Sequence, residues 1–253
     1  MYGIFLVGTA GSGKSTLAFT LTEWLRNQKQ NVALVNLDPG VRRVPYQPDV
    51  DVREWISVYD IMDRYDLGPN GALIASSDLM ALQLEEISKS IEKTGGDIII
   101  VDTPGQIELF AFRSSGSYIV SSLPFSSKCT IFLHDSIYVS DPLNLISTVF
   151  LSSAVYARFL MPQISILTKI DLLSREKVGE IISWYEDTDF LISSLKKYLD
   201  GDKFLLGSEL ARGIPKLGFS PTPIPLSSLT LEGFIDLYAE VTRILAGGEE
   251  PRE

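Results

Sequence analysis

Lys14 and Ser15 close the run Gly8-Thr9-Ala10-Gly11-Ser12-Gly13-Lys14-Ser15-Thr16, in the spacing Gly-x-x-x-x-Gly-Lys-Ser. Glycines let a backbone curl until successive N–H groups point inward, which makes a nest for anionic oxygens at a helix N-terminus. That chemistry is phosphate binding by residues 9–16. Lys14 would reach the β- and γ-phosphates, and the Ser15 hydroxyl would ligate Mg²⁺. Downstream, Asp102-Thr103-Pro104-Gly105 follows the apolar run Ile98-Ile99-Ile100-Val101. There Asp102 can hold Mg²⁺, directly or through water, and the Gly105 amide can meet a γ-phosphate.

Thr168-Lys169-Ile170-Asp171 is the candidate for reading a base. A carboxylate at Asp171 can accept from the N1–H and exocyclic amine of guanine, donors that adenine lacks, while the Lys169 stem lies along the base. This matches the Asn/Thr-Lys-x-Asp element of GTP-binding proteins, with Thr168 where many have Asn. After the last apolar run, Ser228 and Leu229 offer a backbone amide for the guanine O6, although Ser-Ser before a helix is equally a cap. Asp38, Gln106 and Glu108 are the candidates for handling an attacking water: a carboxylate can take its proton, and Gln orients it without changing charge. Arg42, Arg43 and Arg113 are the arginines considered for stabilising transition-state charge.

These residues need rigid elements behind them. Ile4–Val7 and Asn31–Leu37 read as buried strands, Ile98–Val101 as a central one, and Thr130–Leu133, Gln163–Leu167 and the short Ile224–Leu226 as further strands. Helices are expected over Ser15–Gln30, Val58–Tyr65 (with Ser57 as its cap), Ser76–Thr94, Pro142–Leu160 and Leu231–Leu245, with helical pieces over 175–213 whose aromatics pack a core. The stretch Asp66-Leu67-Gly68-Pro69-Asn70-Gly71 reads as a turn that interrupts everything, Val41–Ile56 as loop leading into a helix, residues 107–124 as loop and helix, and Leu217–Pro223 as loop. Strands alternating with helices give an α/β fold: three layers of the P-loop NTPase type, a mostly parallel sheet with helices on both faces, plus helical insertions.

With 253 residues, 45% of them hydrophobic and 21% charged, the chain is globular in composition. One domain is expected over residues 1–246, with insertions at about 57–75 and about 175–220, and a frayed tail at 247–253. A net charge of −10 argues against a broad grip on nucleic acid. Cys129 is the one cysteine, so neither an intrachain disulfide nor a cysteine metal site is available, and His134, the one histidine, makes a poor metal site alone. Asp135 and Asp141 read as caps. No leader and no long apolar run are visible, so the expectation is a soluble cytoplasmic chain without a membrane span.

Together with the guanine set, Gly68-Pro69-Asn70 and Gln106-Ile107-Glu108 resemble the signature of the GPN-loop GTPases, as do Asp38-Pro39-x-Val41-Arg42 and Pro45-Tyr46. The resemblance runs from Met1 to about Leu245. It implies hydrolysis of GTP to GDP with Mg²⁺ by a homodimer or a paralogue heterodimer, in which Gly68, Pro69 and Asn70 enter the partner's active site and contact phosphate. It also places Asp38 and Glu108 near the γ-phosphate, which favours them for the water. Some family members serve assembly and nuclear import of RNA polymerase, so a macromolecular client is implied. Two other readings stand beside this one. A small-molecule or nucleoside kinase also uses a P-loop, but no basic lid for a second substrate is evident. A scaffold could instead bind GTP without turning it over.

Overall fold

Seven segments pair into one sheet in the computed structural model, which describes residues 1–217 and 222–245. They are β1 (Tyr2–Gly8), β2 (Val32–Asn36), β3 (Val50–Asp51), β4 (Ile98–Asp102), β5 (Ser127–Asp135), β6 (Gln163–Thr168) and β7 (Ile224–Pro225). Their order is β3-β2-β4-β1-β5-β6-β7 and every pairing is parallel. Strand β1 lies near the middle, with Ile4 opposite Ile100 on one side and Cys129 on the other. A parallel strand covered on both faces is apolar throughout, and Ile4, Phe5, Leu6 and Val7 are all fully buried.

The helices are α1 (Lys14–Asn27), α2 (Val58–Tyr65), α3 (Pro69–Leu82), α4 (Leu84–Lys93), α5 (Ile107–Ala111), α6 (Ser114–Ser122), α7 (Pro142–Phe159), α8 (Arg175–Glu186), α9 (Thr188–Leu195), α10 (Gly201–Gly213) and α11 (Phe234–Leu245). Side chains alternate across the sheet. Phe5, Val7, Ile99, Val101 and Phe132 meet α2 to α6 on one face. Ile4, Leu6, Ile100, Ile131 and Leu133 meet α1 and α11 on the other. A third cluster joins α7 to α8, α9 and α10 around Leu167, Trp184 and Leu195, and the Trp184 indole donates to Ser194 Oγ at 2.9 Å. The three-layer α/β fold is the one expected. Among the described residues, no helix is long and apolar enough to cross a membrane.

Several local expectations give way to the structure. Gly68-Pro69-Asn70 does not form a turn that ends structure; it starts a helix. Gly68 is the extended N-cap and Pro69 the first residue of α3, where a missing N–H costs nothing and a fixed φ is already helical. The single helix expected over Ser76–Thr94 is two, broken at Gln83, whose amide is shared between the carbonyls of Leu79 and Met80. The short strand β3 and the 3₁₀ turn at Val52–Glu54 replace part of the expected loop. Ser57 precedes α2 without a side-chain cap bond, and α11 begins at Phe234 rather than Leu231. Asp141 does cap α7, accepting from the amides of Leu143 and Asn144. Most of the loop expected at Leu217–Pro223 and the whole tail at 247–253 lie outside the described residues.

His134 is a buried neutral group. Its Nδ1 pairs with the Tyr185 hydroxyl at 2.8 Å, while Nε2 is buried without a partner, so an added proton would find no acceptor there. Burial pushes the imidazole from 6.5 down to about 3. Between those values the unfolded chain takes up a proton that the folded chain refuses. The contribution of His134 is therefore complete above pH 6.5 and lost as pH falls toward 3. From pH 7 to pH 5 it should cost about 2 kcal/mol of stability, at about 1.4 kcal/mol per unit. Denaturant unfolding at both pH values should show that loss in wild type and a flatter dependence in His134→Gln. An equally steep dependence in the variant would remove His134 as its source.

Candidate active site

The phosphate, metal and base candidates sit at the carboxyl ends of parallel strands, the side on which open α/β sheets bind ligands. Residues 9–13 follow β1, Asp38 follows β2, Asp102 ends β4, Asp135 ends β5, Lys169 and Asp171 follow β6, and Ser227 follows β7.

The loop between β1 and α1 turns on Gly11 and Gly13, at φ +78° and +99°, a region open to glycine at little cost. Lys14 folds back into the loop, and its Nζ donates to the carbonyls of Gly8 and Thr9, both at 2.9 Å. Burial lowers the pKa of this ammonium, against the pull of the Asp102 and Asp38 carboxylates. Ser12 is buried beneath the loop, and Ser15 and Thr16 open α1.

Asp102 is 1% exposed. Its Oδ2 accepts from the Tyr46 hydroxyl at 2.6 Å, whereas Oδ1 is buried with no hydrogen-bond partner. Burial pushes the carboxyl above its ordinary range, opposed by the hydroxyls of Tyr46 and Ser15 and by the Lys14 charge. Tyr46 is a functional candidate that sequence reasoning named only as part of a pattern.

Asp38 joins the two loops flanking the phosphate cradle. Its Oδ1 accepts from the Gly40 amide at 2.8 Å and its Oδ2 from the Gly105 amide at 3.1 Å. The Gly105 N–H, expected to meet a γ-phosphate, is thus held by a carboxylate oxygen. Asn36 fixes Asp38 from below, accepting from its amide at 3.1 Å and donating to Asp51 Oδ1 at 3.0 Å. Asp38, Gly105, Gln106 and Ala10 line one cavity of about 260 Å³, whose far wall is Leu73, Ser77 and Met80 of α3. Glu108 does not line it and is exposed on α5. Gly68, Pro69 and Asn70 are exposed at the head of α3 and do not line this cavity. Arg42 stacks on the Tyr59 ring at 4.8 Å, and Arg113 pairs with Asp78 at 2.8 Å.

At the other end, the Thr168 hydroxyl lies 2.9 Å from the Ser12 carbonyl and 3.2 Å from that of His134. This is the physical use of a hydrogen-bonding residue at position 168: it ties the base-reading segment to the phosphate loop. Lys169, at φ +61°, carries its Nζ over the loop to the Gly11 carbonyl at 2.7 Å and to Asp135 Oδ2 at 2.6 Å. Asp135 also accepts from the Ile137 amide, so it is both the expected cap and an ion-pair partner that sequence reasoning missed. Asp171 is exposed and accepts from the buried Ser227 hydroxyl at 2.6 Å. Ser227 in turn takes the amides of Leu229 and Thr230. The Leu229 amide, expected to meet a guanine O6, is thus held by Ser227 Oγ at 3.2 Å, and Ser227 is the residue that touches Asp171, the candidate for reading a base. Pairings that span 56 residues leave no local signal.

Comparisons with known proteins find relatives over nearly the whole chain. A family model described as "Conserved hypothetical ATP binding protein" matches residues 6–247. GPN-loop GTPase PAB0955 of Pyrococcus abyssi is 34% identical over 238 residues, which cover 92% of this chain and 93% of the relative. GPN-loop GTPase 1 of Saccharomyces cerevisiae is 32% identical over 240 residues, covering 91% of this chain and 58% of that longer relative. The crystal structure of PAB0955, described as a GTPase in apo form, superposes with a TM-score of 0.85 at 32% identity, covering 96% of this chain and 97% of the other. With a family model matching residues 6–247 and relatives at this identity over nearly its whole length, the chain belongs to the GPN-loop GTPases.

Proposed function

We propose that this GTPase is a cytoplasmic, Mg²⁺-dependent molecular switch that completes its site by dimerising. The observation that carries the reading is the Asp38–Gly105 hydrogen bond. It puts a candidate base for water and a candidate γ-phosphate donor in direct contact. When GTP enters, the Gly105 N–H passes from Asp38 to a γ-phosphate oxygen, and Asp38 Oδ2 is released to orient the attacking water. The water oxygen forms the new bond to phosphorus as the bond to the β–γ bridging oxygen breaks. The electron pair leaves with GDP and the proton goes to Asp38. Lys14 redirects its Nζ from the loop carbonyls to the β- and γ-phosphates. Gln106 lines the same cavity and assists in placing the water.

The donors present fit a divalent cation. Asp102 Oδ1 is buried and unpartnered, and the Ser15 hydroxyl lies close by. Among the described residues no group of three or more His, Cys, Asp or Glu side chains forms a metal cage, which suits Mg²⁺, an ion that takes one or two protein ligands and fills its shell with phosphate and water. Ser15 and Asp102 would hold it, and bound there it would neutralise charge on the β- and γ-phosphates.

The dimer reading rests on family membership and on the exposure of Gly68, Pro69 and Asn70. Asn70 brings an uncharged amide donor from the neighbouring subunit to the γ-phosphate. The nucleotide cycle would then open and close the dimer and drive assembly of a macromolecular partner, with RNA polymerase suggested by the family resemblance alone. Single-turnover phosphate release should rise with protein concentration. Asn70→Ala should keep GTP binding within about threefold and lower hydrolysis by about 10²-fold, the effect of losing one positioned donor. Equal turnover in wild type and variant at saturating GTP would discard the role in trans.

A further inference from the structure

We infer that Tyr46 is the positioning residue for Asp102, fixing which carboxylate oxygen faces the divalent cation. The inference rests on the reading of Asp102 as a metal-holding residue.

A carboxylate alone is free to swing about its Cβ–Cγ bond and to present either oxygen. Here Oδ2 is taken by the Tyr46 hydroxyl at 2.6 Å, so Oδ1 is the one left without a partner. A phenol donating to a carboxylate at that distance makes a charge-assisted bond, shorter and stronger than a neutral one. The phenol is itself packed in the core. The ring is 9% exposed and packs in the sheet-face core with Leu34 and Ile100. Its hydroxyl position is therefore set by core packing.

The backbone leading to Tyr46 is held as firmly. Arg53 Nη1 donates to the carbonyls of Val41 and Arg42, both at 3.2 Å, and its Nε donates to Asp51 Oδ1 at 2.9 Å. Asp51 is pinned in turn by Asn36, the residue that also fixes Asp38. Asp102 is thus aimed before any nucleotide or metal arrives. Partners that orient metal ligands in this way typically change metal affinity by about 10- to 100-fold.

Tyr46→Phe removes one oxygen and keeps the ring. The midpoint for Mg²⁺ can be read from the release rate of a fluorescent GDP analogue as Mg²⁺ is titrated, with no turnover involved. Tyr46→Phe is expected to raise that midpoint about 10- to 100-fold, while GDP affinity in EDTA stays within about twofold of wild type. A residue that only supports the fold would lower thermal stability equally with and without Mg²⁺ and leave the midpoint in place; that result overturns the inference. Asp102→Ala separates the two layers of the argument. If it moves the midpoint and Tyr46→Phe does not, Tyr46 is not a positioning residue. If neither moves it, the metal role of Asp102 fails first. Should Tyr46→Phe not fold, Arg53→Gln, which frees the loop and retains Tyr46, must shift the midpoint upward, and an unshifted midpoint counts against the inference.

Discussion

Lys14→Ala is expected to lower GTP hydrolysis by about three orders of magnitude at saturating nucleotide, and to weaken GTP and GDP binding as well. Loss of a single preorganised donor aimed at developing charge costs about 10²- to 10³-fold, and Lys14 also carries the only full positive charge within residues 8–16. Its ammonium already sits inside the loop, bonded to Gly8 and Thr9. Little reorganisation is needed for it to meet phosphate. Removing it leaves two carbonyls facing the cradle, where their negative ends oppose the ligand. Single-turnover phosphate release and equilibrium nucleotide titration check this, with far-UV circular dichroism confirming the fold. Hydrolysis within about tenfold of wild type would mean that the lysine serves loop structure and not the transition state.

Asp171→Asn should exchange the base preference, cutting the GTP to xanthosine triphosphate affinity ratio by about 10⁴-fold, the scale on which a polar site rejects a mismatched hydrogen-bonding partner. Ser227 gives this expectation its geometry. Its hydroxyl donates to Asp171 Oδ1 at 2.6 Å, so an asparagine keeps its carbonyl toward Ser227 and turns its NH₂ outward. That NH₂ then faces the N–H donors of guanine, a donor against donors, whereas the O2 of xanthine can accept. Competition titrations with the two triphosphates read the ratio directly, and an unchanged ratio would take Asp171 out of the base site.

Much of the site was legible because it is built from contiguous turns. Gly8 to Ser15 carries its own glycines, lysine and hydroxyl within one strand-to-helix connection, and Asp102 and Asp171 each lie at the end of an apolar run. The parallel sheet was readable for the same reason, since Ile98 to Val101 is apolar on both faces. What could not be read is pairing across distance. Tyr46 with Asp102, Thr168 with Ser12 and Ser227 with Asp171 are brought together only by the sheet order. Asn36 did leave a trace, as a polar residue ending the run Val32-Ala33-Leu34-Val35. Gly68-Pro69 is ambiguous in sequence because a turn and a helix start use the same two residues, and the choice depends on what α3 can bury afterwards, here Ala72, Ser76 and Met80.

The ties from Thr168 to the Ser12 carbonyl and from Lys169 to the Gly11 carbonyl have a further consequence for how the nucleotide is valued. They join the candidate base-reading segment to the phosphate loop, so that the span between the two is set before a ligand arrives. A nucleotide seated by its base then meets the cradle at high effective concentration, and its loss of translational freedom is counted once and not twice. Guanosine and pyrophosphate offered as separate molecules gain no such benefit. On the proposed reading, the affinity for the intact nucleotide is far greater than its fragments would suggest, and the two hydrogen bonds that hold the span contribute to that difference.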